Sequence, residues 1–198
     1  MPILAQGVYR QYHTMATDSL VISRYVQLMK QVQLQAQNHG ETWRSWADPS
    51  TPSPAQYGEV IDEQVAWWPT RMTTPVDFSG LAKGLEIEIT PQLMEFYSVA
   101  YGAGLPVVHA KGDAELLMVW HDQDALRLQE NLIAHVLMKR RLKQRDTLFF
   151  AVTDDDDYMI SVLNSTGEVY LERVGHEVEQ KLADSIADFL TQLAPRPA

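Results

Sequence analysis

Residues 114–152 read AELLMVW, then HDQDALRLQENLIAHVLMKRRLKQRD, then TLFFAV, and this stretch restricts the fold more than any other. Two apolar runs bracket a long segment in which Ala125, Leu128, Leu132, Ile133 and Val136 recur at spacings of three and four. That recurrence marks a helix with one face toward a core. Asp122 suits the N-cap and Asp124 the first turn, while Lys139, Arg140, Arg141, Lys143 and Arg145 gather at the far end. Acids at the start and cations at the finish both complement the helix dipole. The stretch therefore predicts strand, long amphipathic helix, strand. Gln129 falls inside the apolar arc; a buried amide must find hydrogen-bond partners, so its expected role is structural.

Short strands and turns surround this unit. TLFFAV and YMISVL bracket the run Asp154, Asp155, Asp156 and Asp157, and EVYLE follows an Asn-Ser-Thr-Gly turn. LPVVHA and AELLMVW flank Lys111-Gly112-Asp113, which reads as a three-residue hairpin loop. LEIEIT at 85–90 alternates, which predicts a strand with Leu85, Ile87 and Ile89 inward and Glu86 and Glu88 outward. Thr90-Pro91 suits an N-cap with proline at the first helical position, opening a short helix through Leu93, Phe96 and Tyr97 that should end at Gly102. A last amphipathic helix is expected to carry Val178, Leu182, Ile186, Phe189, Leu190 and Leu193, with Pro195 closing it.

Near the start, Thr17 or Asp18 is placed to open a helix with Val21, Tyr25, Leu28 and Val32 on one side and Gly40 as its stop. Residues 1–16 are weakly patterned and read as an extension ahead of a natural start at Met15, leaving 17–198 as the domain. Residues 41–84 hold five of the ten prolines and four of the five tryptophans, Trp43, Trp46, Trp67 and Trp68. Linkers seldom carry so many aromatics. Irregular structure packed on the core, with a short strand at 65–68, is the expectation. Hairpins with flanking helices imply an α+β fold, a largely antiparallel sheet in a single compact domain.

Net charge is −10, and its distribution is uneven. Five of the 16 Lys and Arg residues lie within 139–145, leaving 11 bases against 26 acids elsewhere. Stretches 45–70, 84–110, 112–126 and 146–172 contain acids and no Lys or Arg. Such a surface repels nucleic acid and anionic lipid and attracts cationic partners. Cysteine is absent, which excludes disulfides and thiolate metal sites and fits a reducing compartment. The first residues lack the basic start and continuous apolar core of a signal peptide, and no apolar run approaches the roughly 20 residues that span a bilayer. The expected location is cytoplasmic.

Catalytic motifs are missing. Gly102-Ala103-Gly104 follows a predicted helix instead of a strand, which makes a poor phosphate cradle. The six histidines form no i,i+4 chelating pair. An EF-hand loop begun at Asp154 needs Gly at its sixth position and Glu at its twelfth, where this chain has Met159 and Ser165. Glu86 and Glu88 share a predicted strand face without a recognisable supporting shell. No metal, no cofactor and no enzymatic activity are expected.

QENLIAHVLMKRRLK, TLFFAV, ISVLNSTGEVYLE and ADFLTQLAP, together with TPSP, the WWP element and LEIEITPQLMEFYSVAYGAG, resemble the Syd family of SecY-interacting proteins from gamma-proteobacteria. The resemblance covers roughly residues 19–195 and is most specific over 129–143. It implies a compact α+β protein, peripheral on the cytoplasmic side of the inner membrane, that binds SecY as a regulator or quality-control factor without enzymatic activity. The charge pattern gives its own candidates. A polytopic membrane protein concentrates Lys and Arg in its cytoplasmic loops, and acid-only strands and loops complement them. The candidate contact residues are Glu59, Asp62 and Glu63 ahead of WWP, Trp67 and Trp68 within it, Glu86 and Glu88, Glu115, and Asp154, Asp155, Asp156 and Asp157. The basic helix end would lie away from this surface or face lipid headgroups. The alternative is an immunity protein that buries the active site of a cationic, nuclease-like toxin, since the family resembles a wider group that includes such proteins.

Overall fold

The structure, a computed structural model, describes residues 19–196. The extension at 1–16, the Met15 start and the Thr17 or Asp18 cap lie outside the described residues. The chain runs α1 (Leu20–Asn38), β1 (Arg44–Trp46), β2 (Gln56–Ile61), β3 (Gln64–Trp67), β4 (Thr70–Arg71), α2 (Ser79–Leu85), α3 (Pro91–Tyr97) and β5 (Ala100–Tyr101). It continues through β6 (Leu105–His109), β7 (Gly112–Leu116), α4 (Asp122–Arg141), β8 (Thr147–Thr153), β9 (Tyr158–Leu163), β10 (Val169–Arg173), β11 (Gln180–Ala183), α5 (Ile186–Thr191) and β12 (Ala194–Pro195). Seven strands form the main sheet in the order β11-β10-β9-β8-β7-β6-β12, and every pairing in it is antiparallel. A second sheet, β1-β3-β2, and the pair β4-β5 are also antiparallel. The expected α+β domain is what the chain forms.

One face of the main sheet is the core. Val107, Leu116, Leu148 and Val162 are fully buried there, beneath α1, α3 and α5. Phe150 meets Phe96 of α3 edge-on at 5.1 Å and Phe189 of α5 at 5.8 Å, while Phe96 stacks on Tyr25 of α1 at 4.7 Å. Ser19 caps α1 by accepting from the Ile22 N–H, and Gly40 ends it at φ +69°, a conformation that suits a residue without Cβ.

Registers across the opposite face align Pro106, Glu115, Val152, Met159 and Glu172 in one transverse row over five strands. Helix α4 closes the Glu172 end of this row. Its Lys139 is fully buried, with Nζ 2.7 Å from Glu172 Oε1 and 2.8 Å from the His176 carbonyl oxygen. Nearby, His135 contacts Thr147 Oγ1 at 3.0 Å and turns its ring edge-on to Phe149. The Pro106–Glu115 end lines a cleft instead. The expected structural role of Gln129 holds. Its Oε1 accepts from the Leu81 N–H, and its Nε2 donates to the Asp77 and Ala125 carbonyls.

Several local expectations differ from the structure. LEIEIT is no strand: Leu85 ends α2, Glu86 caps it in the left-handed region at φ 57°, and the chain then runs irregularly to Thr90. The alternation is nevertheless real in burial, since Leu85 and Ile89 are buried and Glu86 and Glu88 exposed. The last helix is shorter. Leu182 lies on β11, paired with β10, and α5 starts only after Ser185, whose hydroxyl accepts from the Asp188 N–H. The β6–β7 turn is Ala110-Lys111, because Gly112 pairs with His109. Helix α3 stops at Tyr97, before the short strand that precedes Gly102. The cap of α4 is His121, whose Nδ1 accepts from the Asp124 N–H, and Asp122 is its first helical residue. Nor is the basic helix end a free cluster. Besides Lys139, Arg140 clamps Asp146 and donates to the Leu85 carbonyl, and Arg145 pairs with Glu177.

Candidate partner-binding surface

A cleft of about 750 Å³ opens where β1, β3 and the end of α1 meet β6 and β7, and Glu41, Trp43, Arg44, Trp67, Glu115 and Arg196 are among its lining residues. Trp67 is only 4% exposed. It packs on Trp43 at 5.2 Å and edge-on to Trp120 at 6.2 Å, and Trp43 also meets Trp68 at 4.7 Å. Trp43, Trp67 and Trp68 thus seal the junction between the two sheets, a demand of packing that composition alone already suggested, whereas Trp46 stays exposed.

The two glycines of Gly102-Ala103-Gly104 make this junction possible. A Cβ at Gly102 would lie 2.8 Å from Trp67 and 2.6 Å from the Met118 sulfur. Gly104, at φ +146°, lies beneath the Glu115 carboxylate, so closely that a Cβ there would collide with it. The motif therefore lets side chains approach the backbone. Glu115 is half-buried, and loss of hydration raises its carboxyl above the usual range, with Arg196 acting in the opposite sense.

The remaining candidates divide into three places. Glu59 is exposed on β2, and Asp62 and Glu63 form the β2–β3 turn at φ 50° and 61°. Asp154, Asp155, Asp156 and Asp157 are all exposed in the β8–β9 turn. Asp155 Oδ1 there accepts from the Asp157 N–H, and Asp157 lies 3.5 Å from Arg173. That turn and the β6–β7 turn share one end of the sheet, as the β7–β8 register requires. Glu86 and Glu88 sit at the other end. The Glu88 carbonyl accepts from Asn164, just past β9, and Glu86 acts electrostatically on Arg140. The structure thus brings Glu115 and Trp67 to one cleft and leaves Glu86 and Glu88 apart from the Asp154–Asp157 turn.

Sequence reasoning missed Glu41 and Trp43 of the cleft, and Asp113, which precedes Glu115 by two on β7 and shares its face. For Asp113 the signal was present, since Ala114 and Leu116 alternate with the two acids. Nothing local announces that α1 ends beside β7. Among the described residues no group of three or more His, Asp and Glu side chains is placed to hold a metal ion, and no helix is long and apolar enough to cross a membrane.

Comparison with known proteins gives a consistent result. The family profile described as Syd protein (SUKH-2) matches residues 20–195. The chain is 41% identical over 148 residues to "Protein Syd" of Psychromonas ingrahamii, which covers 75% of this chain and 80% of that one. It is 39% identical over 150 residues to "Protein Syd" of Alteromonas mediterranea, covering 76% and 81%, and 35% identical over 160 residues to that of Pseudoalteromonas atlantica, covering 79% and 86%.

Proposed function

We propose a function from one premise: the chain belongs to the Syd protein (SUKH-2) family. It acts as a non-enzymatic regulatory or quality-control protein that binds basic cytoplasmic loops of the translocon subunit SecY, peripherally, on the cytoplasmic side of the inner membrane. The observation that carries this reading is Glu115, a half-buried carboxylate that shares a cleft with Trp43 and Trp67 as well as Arg44 and Arg196, on a strand within the acid-only stretch 112–126. A carboxylate already partly stripped of water gains more from an incoming lysine or arginine than an exposed one does. The half-buried Trp43 indole in the same cleft attracts the same cations. Glu59, Asp62, Glu63 and Asp154 to Asp157 then steer and orient the partner, which raises association rate and specificity more than affinity.

The test is binding of the full chain to purified SecY complex in nanodiscs. Glu115→Lys should weaken binding at least tenfold while leaving thermal stability close to wild type. Reversal of Glu86 and Glu88, at the other end of the sheet, should matter much less. Binding unaffected by Glu115→Lys sinks the proposed site. Failure of the wild type to bind SecY, with capture of a cationic toxin instead, would replace the translocon reading by an immunity role.

A further inference from the structure

Among the described residues eleven large apolar side chains are exposed, and four of them, Trp46, Tyr57, Val60 and Ile61, belong to the small β1-β3-β2 sheet. The other seven are spread singly over α1, α4 and strand ends, which is ordinary for a protein surface. Three of the four, Trp46, Tyr57 and Ile61, share one face. Register places Trp46, Gln64 and Ile61 in one transverse row and Arg44, Ala66 and Tyr57 in the next, on the same face. The opposite face of this sheet already uses Val65 and Trp67 to seal the core. The sheet therefore carries apolar side chains on both sides, and its outer side leaves Trp46 63% and Ile61 53% exposed. Exposed apolar side chains gathered on one face, here with Gln64 and Arg44 among them, mark an interaction surface, and tryptophan is the side chain most enriched at binding hot spots.

The rim of the patch identifies what covers it. Glu59, Asp62 and Glu63 are exposed around it, and the Ala47 N–H donates to the Glu63 carbonyl, holding the acidic turn beside Trp46. From 45 to 70 the chain has no Lys or Arg, and Arg44 is the one base on this face. Anionic headgroups are repelled by such a rim. A second copy docked face to face would set the acids of one chain against those of the other. A cationic polypeptide suffers neither penalty. We propose that the outer face of the β1-β3-β2 sheet, centred on Trp46, docks a cationic polypeptide segment that carries apolar side chains between its lysines and arginines. This deepens the reading above and rests on it for the partner's identity. Trp46 and Ile61 take the apolar side chains, and Glu59, Asp62 and Glu63 hold the bases.

The experiment compares wild type, Trp46→Ser, Ile61→Thr and Glu115→Lys in the full chain. The probes are SecY complex in nanodiscs, a synthetic peptide of alternating Lys and Leu, an all-Lys peptide, and vesicles rich in anionic lipid. Expected results are a blue shift of tryptophan emission in wild type with the Lys–Leu peptide, absent in Trp46→Ser, and at least tenfold weaker binding of SecY and of that peptide by Trp46→Ser. Ile61→Thr should weaken both in the same direction and guards against a folding defect in the first variant. Equal binding of both probes by wild type and both patch variants overturns the proposal. So does a Trp46-dependent response to vesicles or Trp46-dependent self-association in place of peptide binding, or wild type that binds neither probe. SecY binding lost in Glu115→Lys but intact in both patch variants overturns this inference and keeps the function. Peptide binding through Trp46 without SecY binding keeps the surface and overturns the function.

Discussion

Glu115 and Glu172 stand in the same cross-strand row, and their surroundings give them opposite chemistry. Glu115 keeps an opening to solvent, whereas Glu172 is buried with Lys139 at 2.7 Å. Removing one partner of a buried ion pair leaves the other charge unpaired, a loss of about 3–5 kcal/mol. Lys139→Met should therefore be severely destabilising in urea unfolding, and Lys139→Met combined with Glu172→Leu should recover most of the loss. A single variant within about 1 kcal/mol of wild type, the usual limit for surface pairs, would refute the buried pair. His135, in the same cluster, is held below its ordinary value by burial, with Glu172 opposing and Lys139 reinforcing. Its folded pKa is thus below its unfolded one, near 6.5, so below that pH the unfolded chain binds the extra proton. His135 contributes no pH dependence above about pH 6.5, and stability declines as pH falls from there toward the folded value. Chemical denaturation at pH 7 and pH 5.5 should show this decline flattened in His135→Gln.

Most elements were legible because their signals are local. β8, β9 and β10 follow from apolar runs bounded by turns, and α4 from apolar spacing. The extended reading of Val178 and Leu182 as helical failed because a four-residue spacing serves a helix face, yet β10 offers an open edge for 180–183 to pair with. The Ser185 and Asp188 cap, three residues apart, was the overlooked boundary signal. LEIEIT failed differently: an irregular turn buries alternate residues as well as a strand does. Its sign is testable. Glycine in a strand interior destabilises by roughly 0.5–1 kcal/mol, but at a left-handed cap it relieves a side chain of about 1–2 kcal/mol of strain. Glu86→Gly should therefore leave stability unchanged or slightly raised by thermal unfolding, and a drop of 1 kcal/mol or more would restore the strand. The candidate site was legible in its acids and tryptophans. Their assembly was not, because the cleft joins α1, β3 and β7, which are distant in sequence.

At the scale of the whole molecule, a chain of net charge −10 with five bases in seven residues suggests two opposed poles. The fold removes one of them. Lys139, Arg140 and Arg145 are engaged with Glu172, Asp146 and Glu177, and only Arg141 and Lys143 of that segment are both exposed and outside these pairs. What remains is an excess of exposed carboxylates, with half-buried Glu115 in a cleft and exposed Trp46, Tyr57 and Ile61 on the far face of the small sheet. These parts respond differently to salt. Exposed carboxylates are screened as the Debye length shrinks from about 10 Å at 0.1 M to about 3 Å at 1 M, while a pair formed in the cleft and apolar contacts are screened much less. Affinity for the SecY complex should therefore fall across this range and then level off above zero. Reversing the exposed Arg141 and Lys143 to Glu should change it little, and reversing Glu59, Asp62 and Glu63 to Lys should reduce the salt slope itself. Binding measured from low to high salt decides the matter. A flat profile assigns the energy to the Trp46 face and the cleft, a profile that declines to nothing assigns it to the exposed acids, and loss confined to the Arg141/Lys143 variant moves the interface to the far end of α4.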